Sequence, residues 1–294
     1  MLEFEYDYPL YRPPSEAYSL ILQITIGCSH NACTFCTMYK SKRYREKTWP
    51  EIQELITRTA LLYPRTRRVF LADGDALALP TDVLVKTLEL LYARFPALER
   101  VTIYGGPKDA LRKSDKELRL LADKGLKMVY LGIESGSARI LQLVKKGVTP
   151  EEMITAGQKL RTNGLKLSAT VISGLGGREL WEEHALETAR VVSAINPDYL
   201  GFLTLVLPEE APLYRRVAEG SFTMLTPWEV LRETGLFLKE VEVENCVFRS
   251  NHASNYFRLA GVLNQEKPEL LQAIARYLAD PRIKALPVDN NRLL

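Results

Sequence analysis

Short runs rich in β-branched and aromatic residues recur along the chain at 20–26, 68–72, 101–104, 128–133, 167–172 and 199–205. Between them the apolar positions return every three to four residues. Ile52, Leu55, Ile56 and Leu62 mark one helical face, and Leu84, Leu88, Leu91 and Phe95 another. Ser114 with Glu117, Thr149 with Glu152 and Thr226 with Glu229 have capping-box spacing, in which each member satisfies an orphan N–H at a helix start. Pro150 and Pro227 fall at the first helical position, where a missing N–H costs nothing, and Gly125 and Asn163-Gly164 suit helix ends. Six strands, each followed by a helix, predict an α/β fold with a parallel sheet or open barrel over 20–244. Residues 1–19, with Pro9, Pro13 and Pro14, read as an irregular lead-in. Residues 245–294 break the alternation and read as a C-terminal cap with one helix near 269–278. In such folds reactive groups collect where strands end, so the residues after each run are the first candidates.

Composition narrows the classes. The 294 residues are 46% apolar, enough for a full core. A net charge of +3 does not call for nucleic acid or an anionic membrane. No stretch approaches the roughly 18 uninterrupted apolar residues of a membrane span. The start, Met-Leu-Glu-Phe-Glu-Tyr-Asp-Tyr-Pro, is acidic rather than basic-then-apolar, unlike a signal peptide. These features predict a soluble cytoplasmic protein.

Of four cysteines, Cys28, Cys33 and Cys36 fall within nine residues directly after the first strand. Clustering of this kind points to metal or redox chemistry rather than a disulfide framework. A four-iron cluster normally takes four cysteines, so three in one loop leave one iron open to a further ligand. The competing reading is a structural zinc site completed by His30, which lies between two of the cysteines.

The loop, with the aromatic Phe35 before its last cysteine, resembles the radical S-adenosylmethionine (radical SAM) superfamily, although the spacing here is four then two where the family usually has three then two. The resemblance continues at the later strand ends: Ala72-Asp73-Gly74-Asp75, then Gly132-Ile133-Glu134-Ser135-Gly136-Ser137 with Lys145-Lys146-Gly147, then Val171-Ile172-Ser173-Gly174-Leu175-Gly176-Gly177, then Glu210-Ala211-Pro212-Leu213-Tyr214. The segment from Gly132 to Ser137, and likewise that from Glu210 to Tyr214, looks like the branch of oxygen-independent coproporphyrinogen dehydrogenases, methylthiotransferases and the Elongator-type catalytic subunit. The resemblance implies a partial (β/α)6 barrel with a C-terminal extension. It implies a [4Fe–4S] cluster on Cys28, Cys33 and Cys36, with S-adenosylmethionine as second cofactor. It places Phe35 near the adenine, Asp73 and Gly74 at the methionine amino group, and Glu134 with Ser135 at the ribose. Lys145 would meet the methionine carboxylate, and the backbone of Ile172 and Gly174 would line the adenine. The implied reaction is reductive cleavage to a 5′-deoxyadenosyl radical that abstracts hydrogen, with a reductant such as flavodoxin or ferredoxin.

A small-molecule substrate is favoured. Sulfur insertion needs an auxiliary cluster, for which only Cys246 is spare. A tRNA-modifying role is the alternative: the basic run Lys40, Lys42, Arg43, Arg45, Lys47, with Tyr44 interleaved, suits phosphates but equally suits a solvated face. A non-catalytic electron carrier and a zinc-stabilised RNA-binding protein are further alternatives. Residues 245–256 concentrate hydrogen-bonding side chains without a period. Arg249 reads there as an anion contact, His252 as an acid–base group and Cys246 as a hydrogen-atom donor, or the run is a self-satisfied polar loop. His184, in a glutamate-rich helix, reads as exposed. Trp49, Trp181 and Trp228 read as packing residues at helix starts.

Overall fold

The computed structural model describes residues 6–290; the first five residues, where part of the lead-in and of the start sequence falls, and the last four of the cap lie outside the described residues. The strands are β1 (Leu20–Gln23), β2 (Thr25–Ile26), β3 (Arg45–Glu46), β4 (Arg68–Ala72), β5 (Arg100–Tyr104), β6 (Leu126–Glu134), β7 (Lys166–Ser173), β8 (Tyr199–Thr204), β9 (Val247–Ser250) and β10 (Leu259–Val262). The helices are α1 (Trp49–Leu62), α2 (Thr81–Arg94), α3 (Pro107–Arg112), α4 (Asp115–Asp123), α5 (Ala138–Leu143), α6 (Pro150–Thr162), α7 (Trp181–Ile195), α8 (Tyr214–Ala218), α9 (Pro227–Glu240), α10 (Leu263–Ala279) and α11 (Pro281–Lys284).

The larger sheet runs β1-β4-β5-β6-β7-β8-β9-β10, and a two-stranded antiparallel ribbon joins β2 to β3. The pairings of β1 with β4, β4 with β5, β5 with β6, β7 with β8 and β8 with β9 are parallel, while β10 returns antiparallel to β9. This is the α/β fold expected of the alternating pattern. Strand β4 coincides with the predicted run at 68–72. The three predicted capping boxes form, at α4, α6 and α9, and α1 carries a fourth, Thr48 with Glu51. Each such cap contributes about 1 kcal/mol.

The chain packs as two compact units. The first comprises the described residues up to Asn31, with Met38–Leu131 and Lys159–Leu167; the second comprises Ala32–Thr37, Gly132–Gln158 and the described residues from Ser168. In the first, Ile21, Phe70, Ala72, Met128 and Tyr130 form a core that Tyr104 joins edge-on. In the second, Ile140, Val144, Leu175, Leu205, Leu207 and Phe222 form another. A buried Leu or Phe contributes about 2 kcal/mol, so these clusters dominate the favourable side of folding.

The cap departs from expectation. Residues 247–250 are not periodless: β9 continues the parallel sheet, with Phe248 and Ser250 buried and Arg249 exposed, and α10 starts at Leu263. Among the described residues no helix is long and apolar enough to cross a membrane.

Candidate active site

In the first unit, the turn after β4 is built around one carboxylate. Asp73 is fully buried. Its Oδ2 accepts from the Gly27 N–H at 3.0 Å and from Lys42 Nζ at 2.9 Å, and its Oδ1 accepts from Gln23 Nε2 at 3.0 Å. The Gly74 N–H donates to the Gly27 carbonyl at 3.1 Å. Gly27 opens the cysteine loop and Lys42 follows it, so one ion pair fixes both stems. Lys42 has a 3% exposed side chain and a second carboxylate partner in Asp7 at 3.4 Å. The basic run is therefore not a uniform solvated face. Lys42 is spent internally, and exposed Arg45 pairs with Glu51 at 2.8 Å.

Gly74 permits a close approach. A Cβ there would lie 2.6 Å from Tyr39 Cε2 and 3.2 Å from Cys28 Cβ, so the backbone passes directly beside the first cysteine. Asp75 is buried, with Oδ1 accepting from the Gly106 N–H at 2.8 Å and Oδ2 from the Ser29 hydroxyl, which anchors the residue after Cys28. Burial, and then the neighbouring Asp109 carboxyl, push Asp75 well above the usual carboxylate range. The carboxylates after β4 thus hold the loop's frame rather than stand open to a ligand.

The other two cysteines lie in the second unit's segment Ala32–Thr37. Between them the Thr34 N–H donates to the Val144 carbonyl, and the Thr34 carbonyl accepts from the Leu213 N–H, both at 2.9 Å. Phe35 and Ile172, two predicted cofactor residues, pack on the same apolar cluster as Leu175. Among the described residues no three His, Cys, Asp or Glu side chains are grouped to hold one metal ion. A four-iron cluster makes a different demand, because each thiolate binds a separate iron. The donor set of three thiols in one loop fits that group.

At the end of β6, Glu134 adopts φ +64°. Its carboxylate pairs with Lys146 Nζ at 2.9 Å, each side chain 12% exposed. Lys145, expected at the methionine carboxylate, adopts φ +55°, and it is the neighbouring Lys146 that pairs with Glu134. Ser135 turns inward, and its hydroxyl donates to His184 Nδ1 at 2.8 Å. His184 Nε2–H donates to the Ile172 carbonyl at 3.0 Å, so the neutral tautomer is fixed. The expectation of an exposed His184 is corrected: it is 1% exposed because it lies on the apolar stripe of α7, four residues before buried Thr188. Burial lowers its pKa to about 4.

At the end of β7, Gly174 takes φ +84°, a conformation that favours glycine. Glu233 of α9, 1% exposed, accepts on Oε1 from the Ser173 hydroxyl at 2.6 Å and the Gly174 N–H at 2.8 Å. Burial pushes it up to about 7. Sequence reading missed Glu233, although it occupies a core position between Val230 and Phe237.

The 245–256 segment divides. Cys246 is fully buried and precedes Val247, the partner of Tyr199 at the N-terminal end of β8. Gly174 follows Ser173, the partner of Thr204 at the opposite end. The strand length between them, on the order of 15 Å, corrects the expectation of Cys246 as a hydrogen-atom donor beside the site; it fills the core as a small residue. Arg249 is exposed and its Nη1 donates to the Phe248 carbonyl at 2.9 Å. His252 is half-buried, its Nδ1 accepting from the Ser254 N–H at 3.1 Å and its pKa lowered by burial. Asn255 caps β8, accepting from Thr204 Oγ1 at 2.9 Å and donating to the Phe202 carbonyl at 2.8 Å. Ser173, Thr204, Ser250 and Asn255 line a water-sized cavity there.

Fold and motifs together define a parallel α/β protein with its polar turns at the C-terminal strand ends and a three-cysteine loop after its first strands. The radical SAM superfamily model matches residues 22–191, and the chain belongs to that superfamily. It is 27% identical over 194 residues to an uncharacterized methyltransferase of Pyrococcus horikoshii, covering 64% of this chain and 39% of that protein. It is 27% identical over 193 residues to a tRNA-2-methylthio-N(6)-dimethylallyladenosine synthase of Fusobacterium nucleatum, covering 60% and 41%. The chain thus spans about two fifths of the length of these curated relatives. Its fold is shared with a radical S-adenosylmethionine methyltransferase from Kitasatospora setae solved with cobalamin and a [4Fe–4S] cluster, at TM-score 0.57 and 16% identity over 92% of this chain and 55% of that one.

Two predictions follow from the buried charges. Lys42→Met leaves Asp73 buried without its cation and should cost about 3 kcal/mol in anaerobic urea unfolding. Adding Asp73→Asn should recover part of that loss, since a buried pair removed together costs less than one half removed.

The second concerns pH. Glu233 has a folded pKa of about 7, above the ordinary 4.5, so its stabilising contribution is complete below 4.5 and is lost as pH rises through 7. His184, lowered from 6.5 to about 4, contributes fully above 6.5 and loses that contribution as pH falls through 4. Each swing is about 3 kcal/mol, and the two slopes oppose one another where they overlap. Relative to the parent, Glu233→Gln should therefore gain stability as pH rises from about 4.5 to about 7. His184→Gln should gain it as pH falls from about 6.5 to about 4. Unfolding free energies at matched pH check both signs.

Proposed function

We propose that the protein is a radical SAM enzyme that cleaves S-adenosylmethionine reductively and abstracts a hydrogen atom from a small-molecule substrate. The observation that carries this reading is the succession of strand-end motifs in family order, all within or just after a matched core that begins before Cys28 and runs to α7. Cys28, Cys33 and Cys36 would hold a [4Fe–4S] cluster, and three thiolates would leave one iron free for S-adenosylmethionine. Reduced by a donor such as flavodoxin or ferredoxin, the bound cluster would supply the one electron needed for reductive cleavage of S-adenosylmethionine.

The chain's own residues bind and orient. The Asp73–Lys42 pair holds the stems of the cysteine loop, and Gly74 leaves its backbone open beside Cys28. The Glu134 carboxylate suits a pair of ribose hydroxyls, as acidic residues do in dinucleotide sites, with Lys146 compensating its charge. Phe35 and Ile172 offer an apolar wall for a flat base. Lys145 remains our candidate for the methionine carboxylate. Arg249, exposed on β9, and His252, in the turn that follows it, are our candidates for substrate contacts.

A tRNA substrate is the second reading, since three of the relatives are by name tRNA-modifying enzymes. It is weakened by the engagement of Lys42 with Asp73 and of Arg45 with Glu51, which removes two cations from the basic run.

Anaerobic reconstitution followed by dithionite and S-adenosylmethionine should give 5′-deoxyadenosine with the parent and none with Cys36→Ala. Cluster-loaded parent that yields none would contradict the proposal. Any RNA binding should fall steeply with salt if the second reading holds.

A further inference from the structure

Two helices of the second unit send ionisable side chains into the interior, at positions whose neighbours on the same helix face are apolar. On α7, His184 sits between the Ile172 carbonyl, which it contacts through Nε2–H, and the Ser135 hydroxyl, which it receives on Nδ1. Ser135 Oγ also accepts from the Ser137 N–H at 3.1 Å, and Thr188 Oγ1, one helical turn from His184, accepts from the Gly136 N–H at 2.9 Å. With the Ser137 hydroxyl donating to Glu183, the turn after β6 is fastened at three consecutive residues to α7 and, through His184, to the end of β7. On α9, Glu233 Oε1 fixes the next two residues of β7's end, Ser173 and Gly174, while Oε2 is buried with no hydrogen-bond partner.

This arrangement is costly for stability alone. An unpartnered buried polar atom costs about 1–3 kcal/mol, and an apolar residue of similar volume would pack without that cost. What the two residues do accomplish is geometric. Ser135 and Gly136 directly follow Glu134, and Ile172, Ser173 and Gly174 open the turn that closes when the Gly177 N–H meets the Gly174 carbonyl at 3.0 Å. The two turns are those the proposed function gives to ribose and adenine.

We infer that His184 and Glu233 are positioning residues that hold these two turns in the shape that receives the adenosyl half of S-adenosylmethionine. The inference rests on the proposed function. Neither side chain touches the ligand; each acts through backbone it fixes, as an outer shell does around first contacts.

The test is equilibrium binding of S-adenosylmethionine to cluster-loaded protein by anaerobic calorimetry, beside iron and sulfide content and a melting curve. Glu233→Ala and His184→Ala should keep the parent's cluster content and bind S-adenosylmethionine on the order of tenfold more weakly. The rate of 5′-deoxyadenosine formation at saturating S-adenosylmethionine should change far less than KM. Glu233→Gln, whose amide oxygen still accepts from Gly174 and Ser173, should restore most of the affinity. If either alanine variant does not fold, Ser173→Ala removes one hydrogen bond to Glu233 and should still weaken binding measurably. Folded, cluster-loaded variants that bind with the parent's affinity would overturn the inference and leave the proposed function intact. A cluster-loaded parent that binds no S-adenosylmethionine would instead overturn the proposed function beneath it.

Discussion

The buried pair of Lys42 and Asp73 is the interaction on which the cysteine loop depends. A carboxylate removed from water must be met by charge and by hydrogen bonds, and Asp73 has both: the ammonium of Lys42, the amide of Gln23 and the N–H of Gly27. These partners come from β1, from the start of the loop and from its return. Because each is needed to compensate the charge, none can move far without uncovering it. A loop intended to present thiolates at a fixed place needs that kind of constraint, since the loop itself has little apolar surface with which to anchor.

The second unit solves a related problem with groups whose burial disfavours their charged forms. His184 and Glu233 are shifted in opposite directions by the same cause, burial, and approach each other to 3.9 Å. Between about pH 4 and about pH 7 the two can stay uncharged, which avoids the desolvation cost of an ion pair while keeping directional hydrogen bonds to Ser135, Ile172, Ser173 and Gly174. Beyond β8 the sheet is extended by β9 and β10, and Asn255 closes the end of β8 through both faces of its amide.

The parallel sheet was legible in the sequence because its strands are apolar and its helix starts carry unmistakable caps. Phe35, Ile172 and Glu134 were legible because they sit in ordered motifs at strand ends. Strand β9 was hidden because Ser250, a polar residue, occupies an inward position and masks the alternation of Phe248 and Arg249. Lys42 was hidden among exposed basic neighbours: one-dimensional pattern does not distinguish a buried lysine from a solvated one until its carboxylate partner, 31 residues away, is placed. Glu233 and His184 did leave a signal, an ionisable residue on an otherwise apolar helical stripe, which charge-rich neighbours such as Glu182 and Glu183 obscured. Cys246 misled because a cysteine in a polar run reads as reactive, whereas the strand register sends it to the other end of the sheet.

The central claim is that the three-cysteine loop holds a cluster with one iron open to S-adenosylmethionine. Electron paramagnetic resonance of the reduced, reconstituted protein tests it most directly. Addition of S-adenosylmethionine should change the spectrum of the parent, and Cys28→Ala, Cys33→Ala or Cys36→Ala should each lose the four-iron signal. A full four-iron signal that S-adenosylmethionine leaves unchanged would contradict the account.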